Sequence, residues 1–362
     1  MKKLLSLLAL ILLFAPTTHA QVEEDDDEIE NYDDFGSADG KEVKRYCSPK
    51  IHGLAPAKLV SIGYDFQGPN SLSTGSFFNQ PEDVTNIQSA HGFRFISSVP
   101  VVSHNKLLIN VGATYIRTNY TIDEPPINPL SQSIKENGLN TMGLNTTIFK
   151  PLNETNFILA YFAGDLNGDY RLSDMQPLSN TKITGVALYG WRPHDRRQFG
   201  FGVTQTYRAG EVNYLPVMMY NYTAPNKKWG IEALLPARAH YRRTFNARNI
   251  LLAGFELEGN AYRLNNKQGF FPTADTLSQT MAHYNPANLE LKRSEIRVRL
   301  IYEKSLTNFI WLSVQAGYIV NYNYSIDSGD FYRGLFGEQP YVMENKLSSP
   351  LYFNFSINLV SP

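Results

Sequence analysis

The chain has 362 residues, of which 43% are hydrophobic, 13% are aromatic and only 19% are charged, and its formal net charge is −1. This near-neutral balance argues against a nucleic-acid partner, which would call for a basic patch or stripe. A single cysteine excludes a disulfide framework and a cysteine-rich zinc site.

The first twenty residues have the order of a secretory signal peptide. Two lysines precede an apolar run over residues 4–14, and the small residues Thr18 and Ala20 form a cleavage site. The apolar run is too short to span a bilayer as a helix. We therefore expect residues 1–20 to direct Sec export and then to be removed, with a retained membrane anchor as the alternative.

Residues 21–56 are predicted to be an acidic, disordered N-terminal segment. Nine carboxylates crowd the stretch between Val22 and Asp34, where they repel one another and leave little apolar area to bury. A solvated spacer is the simplest interpretation, and calcium or partner binding is the alternative. Residues 35–56 are punctuated by glycine and proline, which is typical of a linker or of a small plug.

From residue 57 to residue 362, apolar residues recur at every second position, which is the pattern of strands with one apolar face. Fourteen segments show this alternation, and they exceed the roughly 5–6 residues of a typical soluble strand. The segments are 58–66, 92–99, 106–117, 139–150, 156–164, 183–192, 199–208, 212–222, 228–235, 238–246, 250–262, 290–302, 309–324 and 351–359.

The connections between these segments alternate in length along the chain. Those after even-numbered segments are short, whereas those after odd-numbered segments include five long ones, near residues 67–90, 119–137, 165–181, 264–288 and 325–347. All long connections therefore fall on one side, as in outer-membrane barrels, which have short periplasmic turns and long external loops. The sequence predicts an all-β fold, a transmembrane antiparallel up-and-down β-barrel of about 14 strands (12–16) in a Gram-negative outer membrane. We expect periplasmic termini, and the lipid bilayer and the barrel-assembly machinery as partners.

Aromatic spacing agrees with a membrane barrel. Tyr214 and Tyr222 lie eight residues apart on one face, as do Phe199 and Tyr207. Eight residues of a tilted strand span on the order of 20 Å, close to the spacing of the two aromatic girdles that flank the apolar band. The alternative is the ordinary preference of aromatic residues for any strand.

If the apolar faces meet lipid, the opposite faces of four consecutive strands place acids and bases on one wall of the lumen. These lumen-wall candidates are Glu232, Arg238, His240, Arg242, Glu256, Glu258, Arg293, Glu295, Arg297 and Arg299. One interpretation is a charged constriction that selects anionic or zwitterionic solutes. The alternative is a salt-bridge network that fills the lumen, because buried charges must be paired. Arg243 falls on the outward face near a strand end, where its long side chain can reach the interface.

A long loop carries part of a calcium-binding pattern. Asp165, Asn167 and Asp169 occupy the first, third and fifth positions of a calcium loop. Tyr170 and Gln176 replace the usual glycine at the sixth position and the bidentate glutamate at the twelfth. The three residues are therefore weak calcium candidates, and their alternative role is that of plain turn formers. We expect no cofactor.

Enzyme motifs are missing from the sequence. Neither a G-x-S-x-G nucleophile elbow nor an H-E-x-x-H zinc motif occurs, and the histidines are scattered. A catalytic triad can nevertheless assemble from distant strands. We predict no catalytic residue, and the balance leans against an enzyme.

The signal peptide, the stretch Y-N-Y-T-A-P-N-K-K-W-G-I-E-A-L-L-P-A over residues 220–237 and the terminal L-Y-F-N-F-S-I-N-L carry a resemblance to a known family. They resemble an uncharacterised domain-of-unknown-function family of outer-membrane β-barrels from Bacteroidetes-type bacteria. The resemblance covers roughly residues 57–360. It implies an outer-membrane location and supplies neither an activity nor site residues.

Three functions are consistent with this reading. The first is a porin-like pore or transporter for small or amphiphilic solutes, since a barrel of fourteen strands is wider than side chains alone can fill. The second is a closed structural or surface-interaction barrel that acts through its long extracellular loops. The third is an outer-membrane hydrolase with its site at the barrel mouth.

Overall fold

The computed structural model describes residues 47–78, 80–123, 125–170, 181–207, 213–273, 284–328 and 341–361. The described residues all belong to the second of two units of the chain, residues 44–362. The predicted signal peptide and the nine carboxylates lie outside the described residues.

The second unit is built almost entirely from β-strands. The strands are β1 (Lys58–Gln67), β2 (Asn70–Thr74), β3 (Asp83–Ser97), β4 (Val99–His104), β5 (Leu107–Ile122), β6 (Leu139–Pro151), β7 (Asn156–Gly168), β8 (Thr181–His194), β9 (Arg197–Thr206), β10 (Asn213–Thr223), β11 (Trp229–Leu235), β12 (Arg238–Asn246), β13 (Asn249–Arg263), β14 (Glu290–Ser305), β15 (Ile310–Asp327), β16 (Asn345–Leu347) and β17 (Leu351–Val360). One helix, α1 (Pro129–Asn137), connects β5 to β6. Among the described residues, no helix is long and apolar enough to cross a membrane.

The strands form one closed antiparallel barrel. β2, β4 and β16 continue β1, β3 and β17 after short breaks, so the seventeen strands make fourteen wall strands. Each wall strand pairs with its neighbours along the chain, and β1 pairs with both β3 and β17, which closes the ring. The predicted up-and-down barrel of about 14 strands is confirmed.

The barrel turns an apolar surface outward. Along β17, Leu351, Phe353, Phe355, Ile357 and Leu359 are 44–61% exposed, whereas the residues between them are buried. A continuous belt of exposed large apolar side chains is unfavourable in water but favourable against lipid acyl chains. The alternation that predicted the strands therefore separates a lipid-facing surface from the lumen.

The two ends of the barrel differ. β1 begins and β17 ends at what we call the short-turn end, together with the tight connections at residues 105–106, 195–196 and 247–248. The strand ends that flank the five predicted long connections all lie at the opposite, long-loop end. One connection at the long-loop end is also tight, because only residues 236–237 separate β11 from β12.

A compact cap fills the long-loop end. Helix α1 starts at Asn128, whose side chain accepts a hydrogen bond from the Leu130 backbone N–H, and it ends at Gly138, whose φ of 66° suits glycine. Leu130 and Ile134 are fully buried against apolar residues from β2, β3, β5, β13, β14, β15, β16 and the adjoining loops. The main apolar core of the protein therefore lies at this end.

Candidate functional site

The predicted lumen-wall candidates lie on β11, β12, β13 and β14. Cross-strand pairing aligns Glu232 with His240 and Glu256 with Arg297, so these side chains share the inward face. Arg238, the first residue of β12, is exposed, and Arg243 is exposed on the outward face near the end of β12. The inward position of these side chains thus follows from the alternation of inward and outward residues along each strand.

The deepest part of the wall centres on Glu295. Its carboxylate accepts from Arg293 at 2.6 Å and from Arg297 at 2.7 Å, and the three side chains are only 2–6% exposed. Two cations held by one buried anion would repel each other strongly if that anion were removed, because the surroundings screen charge weakly. Glu295 therefore fixes the geometry of β14's inner face.

A second set of ion pairs crosses the lumen. Arg94 on β3 donates to Glu258 on β13 at 2.9 Å and to Asp65 on β1 at 3.0 Å. Glu258 also accepts from Arg297 at 3.2 Å, which links this set to the Glu295 cluster. Asp65 further accepts from Asn354 of β17 at 2.6 Å. The charges therefore form one continuous network rather than isolated groups.

Sequence reasoning missed Asp65 and Arg94. Each stands between two aromatic residues of its strand, Asp65 between Tyr64 and Phe66. The alternation alone places both charged side chains on the inward face. The signal was therefore present, although it lay in segments with weaker periodicity than β14.

Other predicted wall residues are paired as well. Arg242 is fully buried and donates to Glu232 and to the Thr223 hydroxyl, each at 2.7 Å. Arg299 pairs with Glu256 and donates to Gln315. These contacts favour the salt-bridge network among the two interpretations of the wall, since its acids and bases largely neutralise one another.

His240 differs from the other wall residues. It is buried on the inward face of β12, and its Nε2 has no hydrogen-bond partner within the described part of the chain. The positive charges of Arg299, Arg238 and Lys58 act on its ring. Two of these cations are themselves paired, Arg299 with Glu256 and Lys58 with Glu303, so what sets His240 apart is its unpartnered Nε2.

Part of the inward face of β6, β7, β8 and β10, toward the short-turn end, is apolar. We call its buried residues the apolar strip, and they are Phe149, Phe157, Leu188, Val217 and Met219. Leu108, Leu159, Val186 and Leu234 pack partly buried against it. Gly190 is required here, because a Cβ at that position would collide with the Phe157 ring. The lumen thus holds an apolar strip as well as the charged network.

Residues 47–57, which we call the strap, run along the short-turn end before β1. Backbone hydrogen bonds join Cys47 to Asn153 at 3.0 Å and His52 to Asp195 at 2.7 Å, and the Ala55 N–H donates to Glu232. Cys47 is buried in the apolar strip, where burial raises the pKa of its thiol. The strap therefore covers part of the lumen from this end.

The calcium candidates do not form an open loop. Asp165 and Asn167 lie within β7, not in the predicted loop, and both are buried. Asp169 follows β7, and its carboxylate accepts from Ser133 and from the backbone and side chain of Asn265. No cluster of three metal-ligating residues occurs among the described residues. The loop placement was wrong because pairing with β6 and β8 extends β7 through Gly168, and calcium binding stays a prediction.

The burial of Asp169 predicts a pH-dependent cap. Burial raises the pKa of Asp169 to about 6, although hydrogen bonds from Ser133 and Asn265 oppose the shift. A carboxyl group with a raised pKa in the folded state favours folding when protonated. Its contribution is complete below about pH 4 and is lost as the pH rises through about 6, a change on the order of 2–3 kcal/mol.

Guanidinium unfolding at several pH values, in buffer with a calcium chelator, measures this effect. Wild type should lose more stability than Asp169→Asn between acidic and neutral pH, since the amide does not titrate. Identical pH profiles for the two proteins would contradict the assignment.

The fold and the lumen define a transmembrane β-barrel of up-and-down topology. The chain belongs to the family described as Domain of unknown function (DUF6268), which matches residues 105–360. Membership in such a family was predicted from the sequence and is confirmed. A comparison with curated protein sequences found no match.

Several solved structures are similar to this chain at low identity. The NanC porin is 11% identical, with 83% of this chain and 100% of that chain covered and a TM-score of 0.35. A FadL homologue of Pseudomonas aeruginosa is 7% identical, with coverages of 83% and 90% and a TM-score of 0.37. The toluene transporter TodX of Pseudomonas putida is 9% identical, with coverages of 87% and 95% and a TM-score of 0.35.

Proposed function

We propose that this protein is an outer-membrane pore or transporter for small amphiphilic solutes. The observation that carries the proposal is that the lumen holds both an apolar strip and a charged network. An amphiphile likewise has an apolar and a polar part, so its tail would contact the strip while its head group contacts the network. Binding pockets that fix a ligand in this way combine extensive apolar lining with a few polar groups.

The polar half of the solute would be anionic. His240 lies buried among the positive charges of Arg299, Arg238 and Lys58. An anionic head group at this corner would accept a hydrogen bond from the His240 Nε2–H and would lie close to these cationic side chains. Cationic head groups would meet repulsion there.

The topology supports the orientation in the membrane. Residues 58 and 360 pair at the short-turn end, so both ends of the barrel chain lie there. Outer-membrane barrels keep their short turns in the periplasm. With the signal-peptide pattern, this supports Sec export, periplasmic termini, and insertion into the lipid bilayer by the barrel-assembly machinery.

The cap and the strap favour a closed structural barrel as the alternative function. Both cover the lumen along its axis, as expected for a closed barrel that acts through its long loops. A closed structural barrel would not bind an amphiphile in its lumen, so ligand binding separates the two functions.

Two isosteric substitutions in and beside the apolar strip test the proposal. Val186→Thr with Val217→Thr should weaken binding of dansyl-labelled dodecyl sulfonate by about tenfold or more, because the tail then faces two hydroxyl groups. Tryptophan-to-dansyl energy transfer on protein refolded into an amphipathic polymer measures the affinity. Val203→Thr, at a lipid-facing position that is 66% exposed, is the matched control. Equal affinities in all three proteins, or no binding, would argue for the closed barrel.

A further inference from the structure

The barrel wall is shorter along β11 and β12 than along the strands beside them. β11 and β12 are the short strands Trp229–Leu235 and Arg238–Asn246, whereas the neighbouring β13 runs from Asn249 to Arg263. The tight turn at residues 236–237 ends this hairpin well before the long-loop end. The two strands that flank the hairpin therefore continue beyond it.

The strand pairing shows where the wall is interrupted. The last pair between β10 and β11 is Met218 with Leu235, and the last pair between β12 and β13 is Arg238 with Glu256. Above these pairs, residues 214–217 of β10 and residues 258–262 of β13 have no strand partner on the hairpin side among the described residues. We call the gap between these two edges the notch.

The notch lies at the depth of the lipid acyl chains. Tyr214 is exposed on the outward face of β10, four residues beyond Met218 toward the long-loop end. Four residues of a tilted strand rise about 10 Å. If Tyr214 marks the outer aromatic girdle, the tip of the hairpin is about 10 Å inside an apolar band of about 25 Å.

The upper part of β13 and β14 leaves the lipid-facing surface. On the outward face of β14, Val298 and Leu300 are 51% and 53% exposed, whereas Ser294, Lys292 and Glu290 on the same face are buried. Arg263, at the end of β13, pairs with Gly168 of β7 on the far side of the ring.

A side-chain contact shows the same displacement. Glu290 of β14 forms an ion pair with Lys182 of β8, although five wall strands lie between β8 and β14 on the shorter way around the barrel. The upper ends of β13 and β14 therefore bend across the lumen. This bend moves β13 away from β10 and keeps the notch open.

The rim of the notch is apolar, and its backbone edges need polar partners. Met218, Leu235 and Leu257 border it, and Leu215 lies on the inward face of β10 behind it. Unpaired strand edges are not tolerated against acyl chains, because each bare N–H or C=O costs free energy there. The edges must therefore meet water from the lumen or the polar group of a solute.

We propose that the notch is a lateral port through which an amphiphile with a single chain and an anionic head group passes between the lumen and the surrounding lipid. The cap fills the long-loop end and the strap covers part of the short-turn end, so among the described elements the notch gives the lumen a direct route to the lipid. Arg238 and His240 lie on β12 directly below it, where they receive the head group. The port deepens the proposed function and rests on it for the identity of the solute.

Lipid access to the notch can be measured without any solute. A bimane label at Leu215→Cys, in a Cys47→Ser background, should be quenched strongly by lipids brominated on their acyl chains. The control is Ala163→Cys, which is buried on the inward face of β7, where the wall is complete on both sides. We expect at least threefold stronger quenching at position 215 than at position 163. Equal quenching at the two positions would overturn the port, whether or not the barrel binds amphiphiles.

Closing the notch gives the second test. A longer β11–β12 hairpin, with alternating apolar and polar residues inserted between Leu235 and Arg238, should pair with both free edges and complete the wall. Exchange of dansyl-labelled dodecyl sulfonate between lipid nanodiscs and the lumen should slow at least tenfold, while the affinity is retained. The same insertion between Asn246 and Asn249, at the short-turn end, is the control. If the extended variant folds correctly and exchanges the probe as fast as wild type, the port is overturned. If the wild-type protein does not bind the probe at all, the proposed function is contradicted instead.

Discussion

Replacing Glu295 by alanine is expected to lower the free energy of unfolding by about 3–5 kcal/mol, the usual cost of removing one member of a buried ion pair. The side chain is 2% exposed and holds Arg293 and Arg297 together. Without it, two buried guanidinium groups face each other, and the contacts of Arg297 to Glu258, Asp65 and the Tyr352 ring compensate only part of the loss. The penalty comes mainly from the repulsion between the two buried cations rather than from the lost attraction.

Guanidinium unfolding of the protein in lipid vesicles, followed by tryptophan fluorescence and by heat-modifiable gel migration, measures this loss. Glu154→Ala, in the exposed turn between β6 and β7, removes the same side chain where it is solvated and should change stability by less than about 0.5 kcal/mol. If the two variants were equally stable, the inner network would not be buried as described.

Placing arginine at Leu144 should destabilise the inserted barrel by about 2–4 kcal/mol, the cost of a cation at the bilayer midplane of a β-barrel. Leu144 is 69% exposed and lies near the middle of β6. On a soluble protein, a highly exposed leucine could become arginine with almost no effect. The substitution therefore reports on the solvent that surrounds the outer face.

The same unfolding measurement in vesicles gives the result, and Leu144→Ala separates loss of apolar area from burial of charge. Arg243, which is naturally exposed on the outward face near the end of β12, shows that arginine is tolerated close to the interface. A Leu144→Arg variant as stable as Leu144→Ala would mean that this surface does not contact lipid.

The barrel itself was predictable from the sequence because lipid and lumen demand opposite chemistry on the two faces of each strand. In β17 this demand produces an unbroken alternation between Leu351 and Leu359. Apolar exceptions were also informative, since Trp311 and Ile319 interrupt the polar face of β15 and are both buried inside the barrel. Strand number and the sorting of loops followed from the same pattern.

Contacts across the lumen were not predictable in this way. Arg94 and Glu258 are 164 residues apart, and their meeting depends on the tilt and stagger of the closed ring, which no local pattern encodes. The cap depends likewise on packing between distant loops around Leu130 and Ile134.

One signal of the bend in β14 was present in the sequence. Glu290, Lys292 and Ser294 are polar. The alternate residues that follow them on the same face of the strand, from Ile296 onward, are apolar. Polar residues on the outward face of a strand mark the point where the strand leaves lipid. The length of a hairpin carries similar information, since the short β11–β12 pair defines the notch.

Transfer of dansyl-labelled dodecyl sulfonate into proteoliposomes that enclose albumin tests the central claim most directly. The sulfonate stays charged at all accessible pH values, so it crosses a protein-free bilayer slowly. A barrel that carries amphiphiles should raise the initial rate of transfer at least tenfold, and Val186→Thr with Val217→Thr should reduce that gain. A rate equal to that of protein-free vesicles, with the barrel correctly inserted, would contradict the account.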